Sequence, residues 1–351
     1  MPGALDSLFV KESARRAGFH KAGVARAGPL DPRPLDRVLE RGAEADMVWL
    51  RTQRAQRLDP RLLLDGARSV VAVALSYHAG PDAGAEPPPG TGEVARYARG
   101  RDYHGVMKRK LRALVAELAA RDPGARCVAS CDVVPVMEKV WAERAGIGWI
   151  GKNGCLITPE FGSWVVLGTV ILDRELEPDP PHPERCGTCE ACLPACPTGA
   201  IPEPGFVDAR RCLSYWTIER RGDVPPEIAE RLGPRAFGCD VCQTVCPWNE
   251  GLGASADPDL VPLPSQSALR VDDLLAMDEA AYRRRFPGTA LARARFDGLV
   301  RNALLLAGGE GDRRRAGAVR AHLASPHAGV RAAAAWALAR LGAADVPRDI
   351  G

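Results

Sequence analysis

Cys186, Cys189, Cys192 and Cys196, followed by Pro197, stand in the order C-x2-C-x2-C-x3-C-P. This is the ligand spacing of bacterial ferredoxins: three closely set thiolates fill three corners of a four-iron cubane, and the fourth, carried past a proline turn, serves a different cluster. A second run should therefore follow. Cys239, Cys242 and Cys246 with Pro247 repeat the last three positions, Ala236 stands where the first cysteine would be, and Cys212 is the only other cysteine between the runs. The crossed assignment gives one [4Fe-4S] cluster from Cys186, Cys189, Cys192 and Cys246, and another from Cys196, Cys212, Cys239 and Cys242. Two zinc sites would also use C-x2-C pairs, but zinc has no need of two C-x3-C-P endings on a doubled run. The remaining cysteines, Cys127, Cys131 and Cys155, lack ligand spacing and read as small buried residues.

Other motifs outside the cysteine segment carry weaker signals. Gly146, Gly148 and Gly151 in GIGWIGKN satisfy G-x-G-x-x-G, yet they follow a predicted helix, not a strand, and open no long helix. They fit a tight turn or a close backbone approach better than a dinucleotide site. Asp102, His104 and Gly105 come near the corrinoid pattern D-x-H-x-x-G, but Met107 occupies its final position, so a histidine lower ligand is not supported. Asp132 precedes Pro135 by three residues, too far for a simple N-cap. Its neighbours Val133 and Val134 would desolvate the carboxyl and raise its pKa, as a proton donor requires, while the adjoining helix end would oppose this.

These residues sit in a chain of 351 residues, 46% hydrophobic and 26% charged, enough for two or three domains and unlike a disordered chain. No apolar run approaches the roughly 18 to 20 residues of a membrane span. Met1 to Phe9 shows neither a basic stretch leading into an apolar core nor a twin-arginine pair, so a cytoplasmic protein is expected. In a reducing compartment, eleven cysteines point to metal, not disulfides. Only six of the 47 basic residues are lysines, and a net charge of +3 names no partner.

The elements that must position the motifs can be read from periodicity. Leu35 to Gln56 is amphipathic, Ala67 to Ser76 and Gly162 to Asp173 read as buried strands, and Pro81 to Gly92 as a surface loop. Arg101 to Arg121 has helical spacing, with Val106, Leu111, Leu114, Val115 and Leu118 on one side, and Pro135 can begin a helix running to Ala145. The alternation of helix and strand suggests an α/β domain over residues 1–180. A proline-rich linker, Glu177 to Pro183, leads into a two-cluster ferredoxin-like domain at 181–255. Residues 256–351 begin as loop and end in helices, where Val319 and Leu323, then Val330, Ala334, Leu338 and Leu341, form two stripes like one HEAT repeat. The fold class expected is a mixed α+β and α/β multidomain protein.

Nearly the whole chain resembles the epoxyqueuosine reductase family. The resemblance rests on RLDPRLLLDGARSVVAVALSY, RYARGRDYH, DVVPVMEK, AGIGWIGKNGCLI, GSWVVLG, CGTCEACLPACPTGAI, CLSYWTIERR, GCDVCQTVCPWN and GLVRNALLLA. Val133 departs from the small hydroxyl residue usual in the family. The resemblance implies reduction, by two electrons and two protons, of the epoxide on the modified wobble base of tRNA, giving queuosine and water. It implies cobalamin beside the two clusters, an external electron donor, tRNA as partner, no membrane, and action as a monomer. Asp132 matches the family's proton donor, and Arg57, Tyr97, Asp132, Gly151 and Asn153 lie in blocks resembling its corrinoid-contacting parts.

Arg220 and Arg221, with Arg313 to Arg315, are candidates for tRNA phosphates, and Trp216 and Trp248 for base stacking or for covering a cluster. A reductive dehalogenase shares the corrinoid and cluster logic but usually carries an export signal and lacks the terminal helices. A non-catalytic electron carrier would leave the long first domain and Asp132 without a role.

Overall fold

The structure, a computed structural model, describes residues 4–80 and 88–343. Its strands are β1 (Lys21–Arg26), β2 (Ser69–Ser76), β3 (Thr91–Val94), β4 (Cys127–Ser130), β5 (Trp149–Ile150), β6 (Leu156–Ile157), β7 (Val165–Leu172), β8 (Arg235–Phe237) and β9 (Ala268–Arg270). The central sheet has the order β1-β2-β7-β4 and is antiparallel at every pairing. The α/β reading expected for residues 1–180 is thus corrected toward α+β, because periodicity locates a buried strand without fixing its direction.

β2 is buried along its whole length, and its alternate side chains enter two cores. Val71, Val73 and Leu75 pack with Val106, Leu111, Leu114 and Leu118 of the helix Tyr103–Arg121. Val70, Ala72 and Ala74 pack with Trp141 and Ala142 of the helix Glu138–Arg144 on the opposite face. Asp102 caps the first of these helices by accepting from the His104 amide at 3.0 Å. The second begins at Glu138, three residues later than Pro135 suggests, and Met137 occupies its N-cap position. Residues Val133 to Val136 therefore belong to the loop that carries Asp132.

Three further sequence expectations change. The amphipathic stretch Leu35 to Gln56 is broken into helices Arg33–Glu40, Trp49–Thr52 and Arg54–Leu58, with Gly42 (φ 60°) and Ala45 (φ 52°) turning the chain between the first two. Thr91 and Gly92, expected in a loop, begin β3, while residues 81–87 of that loop lie outside the described residues. The three expected segments also share one core: β3 pairs with β8 and with β9, and Val94, Phe237, Leu269, Leu304 and Ala334 belong to a single buried cluster.

The helix Arg295–Glu310 is buried over most of its circumference and packs closely on the helix Ala328–Arg340 at Gly308, where a Cβ would meet the Trp336 ring at 2.7 Å. Val319, Val330, Ala334, Leu338 and Leu341 are buried as their spacing predicts. Among the described residues, no helix is long and apolar enough to cross a membrane.

Candidate functional site

Two groups of side chains gather chemistry. The first surrounds Asp132, one of three non-glycine residues with positive φ (57°) among those described. Asx side chains tolerate this left-handed conformation better than most, and its use in an exposed loop marks a position held by its surroundings. The Asp132 amide donates to Glu138 Oε1 at 3.1 Å. Tyr103 donates its phenolic O–H to Asp132 Oδ2, and His104 Nε2 lies 3.9 Å from the same oxygen. His104 Nδ1 in turn meets Asp102 Oδ1 at 2.8 Å.

The electrostatics follow from these contacts. The hydrogen bond to Asp102 raises the His104 pKa against the opposing effect of burial. Burial, then the nearby Asp132 charge, pushes Glu138 up to about 7. Tyr103 is held strongly in its neutral form by burial and by Asp132. It stacks on His104 with ring centroids 4.1 Å apart and meets Tyr97 edge to face at 5.8 Å. Val133, expected to desolvate Asp132, is instead 81% exposed, because the loop turns it outward.

Arg57 is half-buried. Its Nη2 donates to Gln53 Oε1 at 3.3 Å, but its buried Nε has no hydrogen-bond partner. Asp59, which could have paired with it, holds Arg61 instead through Nε at 2.9 Å and Nη2 at 2.6 Å. Sequence reasoning did not single out Glu138 or Arg293. Arg293 stands over Trp49 at 5.8 Å, is fixed by Glu219 at 2.7 Å, and faces Tyr103 and Tyr97.

The second group is the cysteines. Ionisation of Cys192 is opposed by burial and then by Cys186, Cys246 and Cys189, so these four thiols converge. Cys212 interacts with Cys196, and Cys242 with Cys212 and Cys239. Cys246, from the second run, thus stands with the first three cysteines of the first. A cavity of about 170 Å³ is lined by Cys186, Cys189, Cys192 and Cys246 together with Asn153 and Trp248. Among the described residues, no group of three or more His, Cys, Asp or Glu is placed closely enough to hold a single metal ion.

Cys189 is exposed, whereas Cys212 and Cys239 are half-buried against the core that contains Val94 and Phe237. Cys155, read from sequence as an ordinary buried residue, stands beside Cys242. No spacing rule signals this contact, since it comes from folding one hairpin against another segment.

The remaining expected site residues are distributed differently from the sequence reading. Asn153 donates to Cys242 O at 3.1 Å and accepts from the Cys155 amide at 3.1 Å. Gly151 makes its close approach to Ile157, whose Cδ1 a Cβ would meet at 2.5 Å. Asn153 therefore ties this hairpin to the cysteine-bearing segment, whereas Gly151 closes the hairpin itself. Arg221 donates to the carbonyls of Ile218, Arg293 and Ala294, and Arg220 pairs with Asp46 and Asp223. Both guanidiniums are thus engaged within the fold. Arg314 pairs with Asp312, and Arg315 with Asp272. Trp216 donates to Arg210 O at 2.9 Å, and Trp248 forms part of the cysteine cavity wall.

Comparison with known proteins gives a consistent picture. Residues 57–133 match the family described as epoxyqueuosine reductase QueG, DUF1730, and residues 185–249 match the 4Fe-4S double cluster binding domain. An epoxyqueuosine reductase of Gloeobacter violaceus is 46% identical over 311 residues, covering 86% of this chain and 96% of that protein. One from Synechococcus sp. (strain CC9605) is 45% identical over 295 residues, covering 82% of this chain and 90% of its own length. Among solved structures, epoxyqueuosine reductase with an epoxyqueuosine-modified tRNA-Tyr stem loop superposes with a TM-score of 0.86 at 32% identity, covering 95% of this chain and 89% of that one.

Proposed function

The chain belongs to the epoxyqueuosine reductase family, and on that premise we propose how its two side-chain groups divide the work of reducing the epoxide of epoxyqueuosine in tRNA. It is an oxidoreductase with a double [4Fe-4S] domain. The reaction takes up two electrons and two protons and yields queuosine and water. The observation that carries our assignment is the exposed Asp132 carboxyl, set in a left-handed conformation between Tyr103 and His104.

We assign Cys186, Cys189, Cys192 and Cys246 to an outer cluster and Cys196, Cys212, Cys239 and Cys242 to an inner one. The exposure of Cys189 supports entry of electrons from an external donor at the outer cluster. The packing of Cys239 and Tyr97 in one core supports delivery from the inner cluster toward the Asp132 group.

Cobalamin fits the same side of the molecule. The buried, unpartnered Arg57 Nε is a donor awaiting an acceptor, and Tyr97 lies between Phe237 of the cluster-bearing core and Tyr103. We assign Arg57 and Tyr97 to corrinoid contact and place Gly151 and Asn153 beside the clusters. A corrinoid held there would supply the reducing chemistry that the epoxide needs. Asp132 donates a proton to the epoxide oxygen as the ring opens. His104, whose pKa the hydrogen bond to Asp102 raises, stands 3.9 Å from that carboxylate as the neighbouring proton-bearing group, and Tyr103 orients the carboxyl. The small helices after residue 290 serve as a HEAT-like support for the tRNA-facing side, and the three sequence segments act as catalytic, cluster and helical parts of one body.

The test is Asp132→Asn in reconstituted protein offered an epoxyqueuosine-bearing tRNA stem loop. Iron and bound corrinoid should remain while turnover is lost. Normal turnover would remove Asp132 from the mechanism.

A further inference from the structure

Resting on the reading of the eight cysteines as two clusters, a further role falls to a side chain that binds neither iron nor substrate. Trp149 is completely buried, and its Nε1–H donates to Sγ of Cys186 at 3.4 Å. The ring cannot easily turn away. Its backbone is fixed by the β5–β6 pairing with Ile157, His182 stacks on one face with centroids 5.1 Å apart, and Trp248 meets it edge-on at 4.8 Å. The neighbouring Gly148 allows this packing: a Cβ there would lie 2.1 Å from Ile157 O of the facing strand.

We propose that Trp149 sets the reduction potential of the outer cluster through its N–H···S hydrogen bond to Cys186. When a [4Fe-4S] cluster takes up one electron, negative charge grows on its sulfurs, including the thiolates. A donor aimed at a thiolate stabilises the reduced state more than the oxidised state and raises the potential. The inner cluster receives a comparable bond from the main chain, where the Ala200 amide donates to Cys196 Sγ at 3.2 Å. Trp149 is thus a positioning residue, acting through a cluster ligand, and its donor can be removed by substitution while the main-chain donor stays.

Trp149→Phe keeps an aromatic ring and deletes the N–H. An anaerobic redox titration of the reconstituted protein, followed by EPR, should show one centre shifted to more negative potential by about a tenfold change in its reduction equilibrium, or about 59 mV for a one-electron couple. The other centre should not move. The sign separates this effect from a packing defect, since water admitted by the smaller ring would favour the more negative reduced cluster and shift the midpoint upward. An unchanged or less negative midpoint overturns the proposal.

If Trp149→Phe fails to assemble its clusters, the unsubstituted protein decides. With indole-15N tryptophan, pulsed EPR of the reduced protein should detect a nitrogen coupled to one cluster, and absence of that coupling overturns the proposal. Iron analysis of the same sample separates the two levels of inference. About eight irons per chain without the expected shift or coupling sinks the role of Trp149 alone, whereas about four irons removes the two-cluster reading and this role with it.

Discussion

The amide of Asp132 is fastened to Glu138 Oε1 at 3.1 Å, so the exposed carboxyl is carried on a loop that a second, half-buried carboxyl holds. Glu138 keeps its proton up to about pH 7 in the folded protein, against an ordinary value of 4.5. The unfolded chain releases that proton near its ordinary value, so the folded state binds more protons between the two. The contribution of Glu138 to stability is greatest below the ordinary value, falls as pH rises through the interval, and is level above about 7. Urea denaturation of wild type and Glu138→Gln at about pH 5.5 and 8 measures this. The variant should lose part of the pH dependence, and identical slopes would contradict the burial of this charge.

Asp132→Asn should be less disruptive to the fold than Asp132→Ala, because asparagine accepts positive φ more readily than alanine. Both should lower single-turnover reduction by about 100-fold or more, the usual loss on removing a general acid. Iron and corrinoid content should stay at wild-type levels. A fall in iron would assign Asp132 a structural task instead.

Cys246→Ala tests the crossing directly. Although Cys246 belongs to the second run, its loss should leave the cluster of Cys196, Cys212, Cys239 and Cys242 intact, with about four irons of eight. Cys196→Ala should damage the other centre. Matching EPR signals from the two variants would show that the clusters follow the sequence runs without crossing.

Arg301 is buried, and its guanidinium donates to the carbonyls of Trp216, Arg220 and Gly222. Arg301→Met removes these three hydrogen bonds together with those to Asn302 Oδ1. Each abandoned buried acceptor costs about 1–3 kcal/mol, partly relieved by water, so a net loss on the order of 3 kcal/mol is expected in denaturant titration of the variant. A loss below about 0.5 kcal/mol, the range of neutral surface changes, would show that the turn holds without it.

Arg221→Ala should behave as a stability variant and not as a phosphate contact. Its three carbonyl acceptors lie within the fold. The slope of log affinity for the tRNA stem loop against log salt should stay within about one half of a unit of wild type, since a lost phosphate contact changes it by roughly 0.7 to 0.9. A full-contact change would return Arg221 to the tRNA surface.

The cysteine pattern was readable because ligand spacing is local: C-x2-C-x2-C holds its thiols near one another whatever surrounds them, and the exchange of the fourth ligand follows from the proline turn. The strands β2 and β7 and the helix Tyr103–Arg121 were equally legible, since their apolar periodicity reflects burial directly. Strand direction and the shared core were not, because pairing β3 with β8 and β9 joins residues more than 140 positions apart. Asp132 could be marked by resemblance, but its surroundings could not: Tyr103 comes from a helix 29 residues earlier, and Val133 faces outward where a desolvating neighbour was expected. The same distinction separates Arg221 from Cys155. An arginine pair looks like a phosphate site and a lone cysteine looks inert until the fold supplies carbonyls to the one and the Cys242 thiol to the other. Sequence alone determined which chemical groups are available and which of them are neighbours along the chain. Tertiary structure decided which meet across it, because side-chain hydrogen bonds and burial depend on distances that local spacing does not encode.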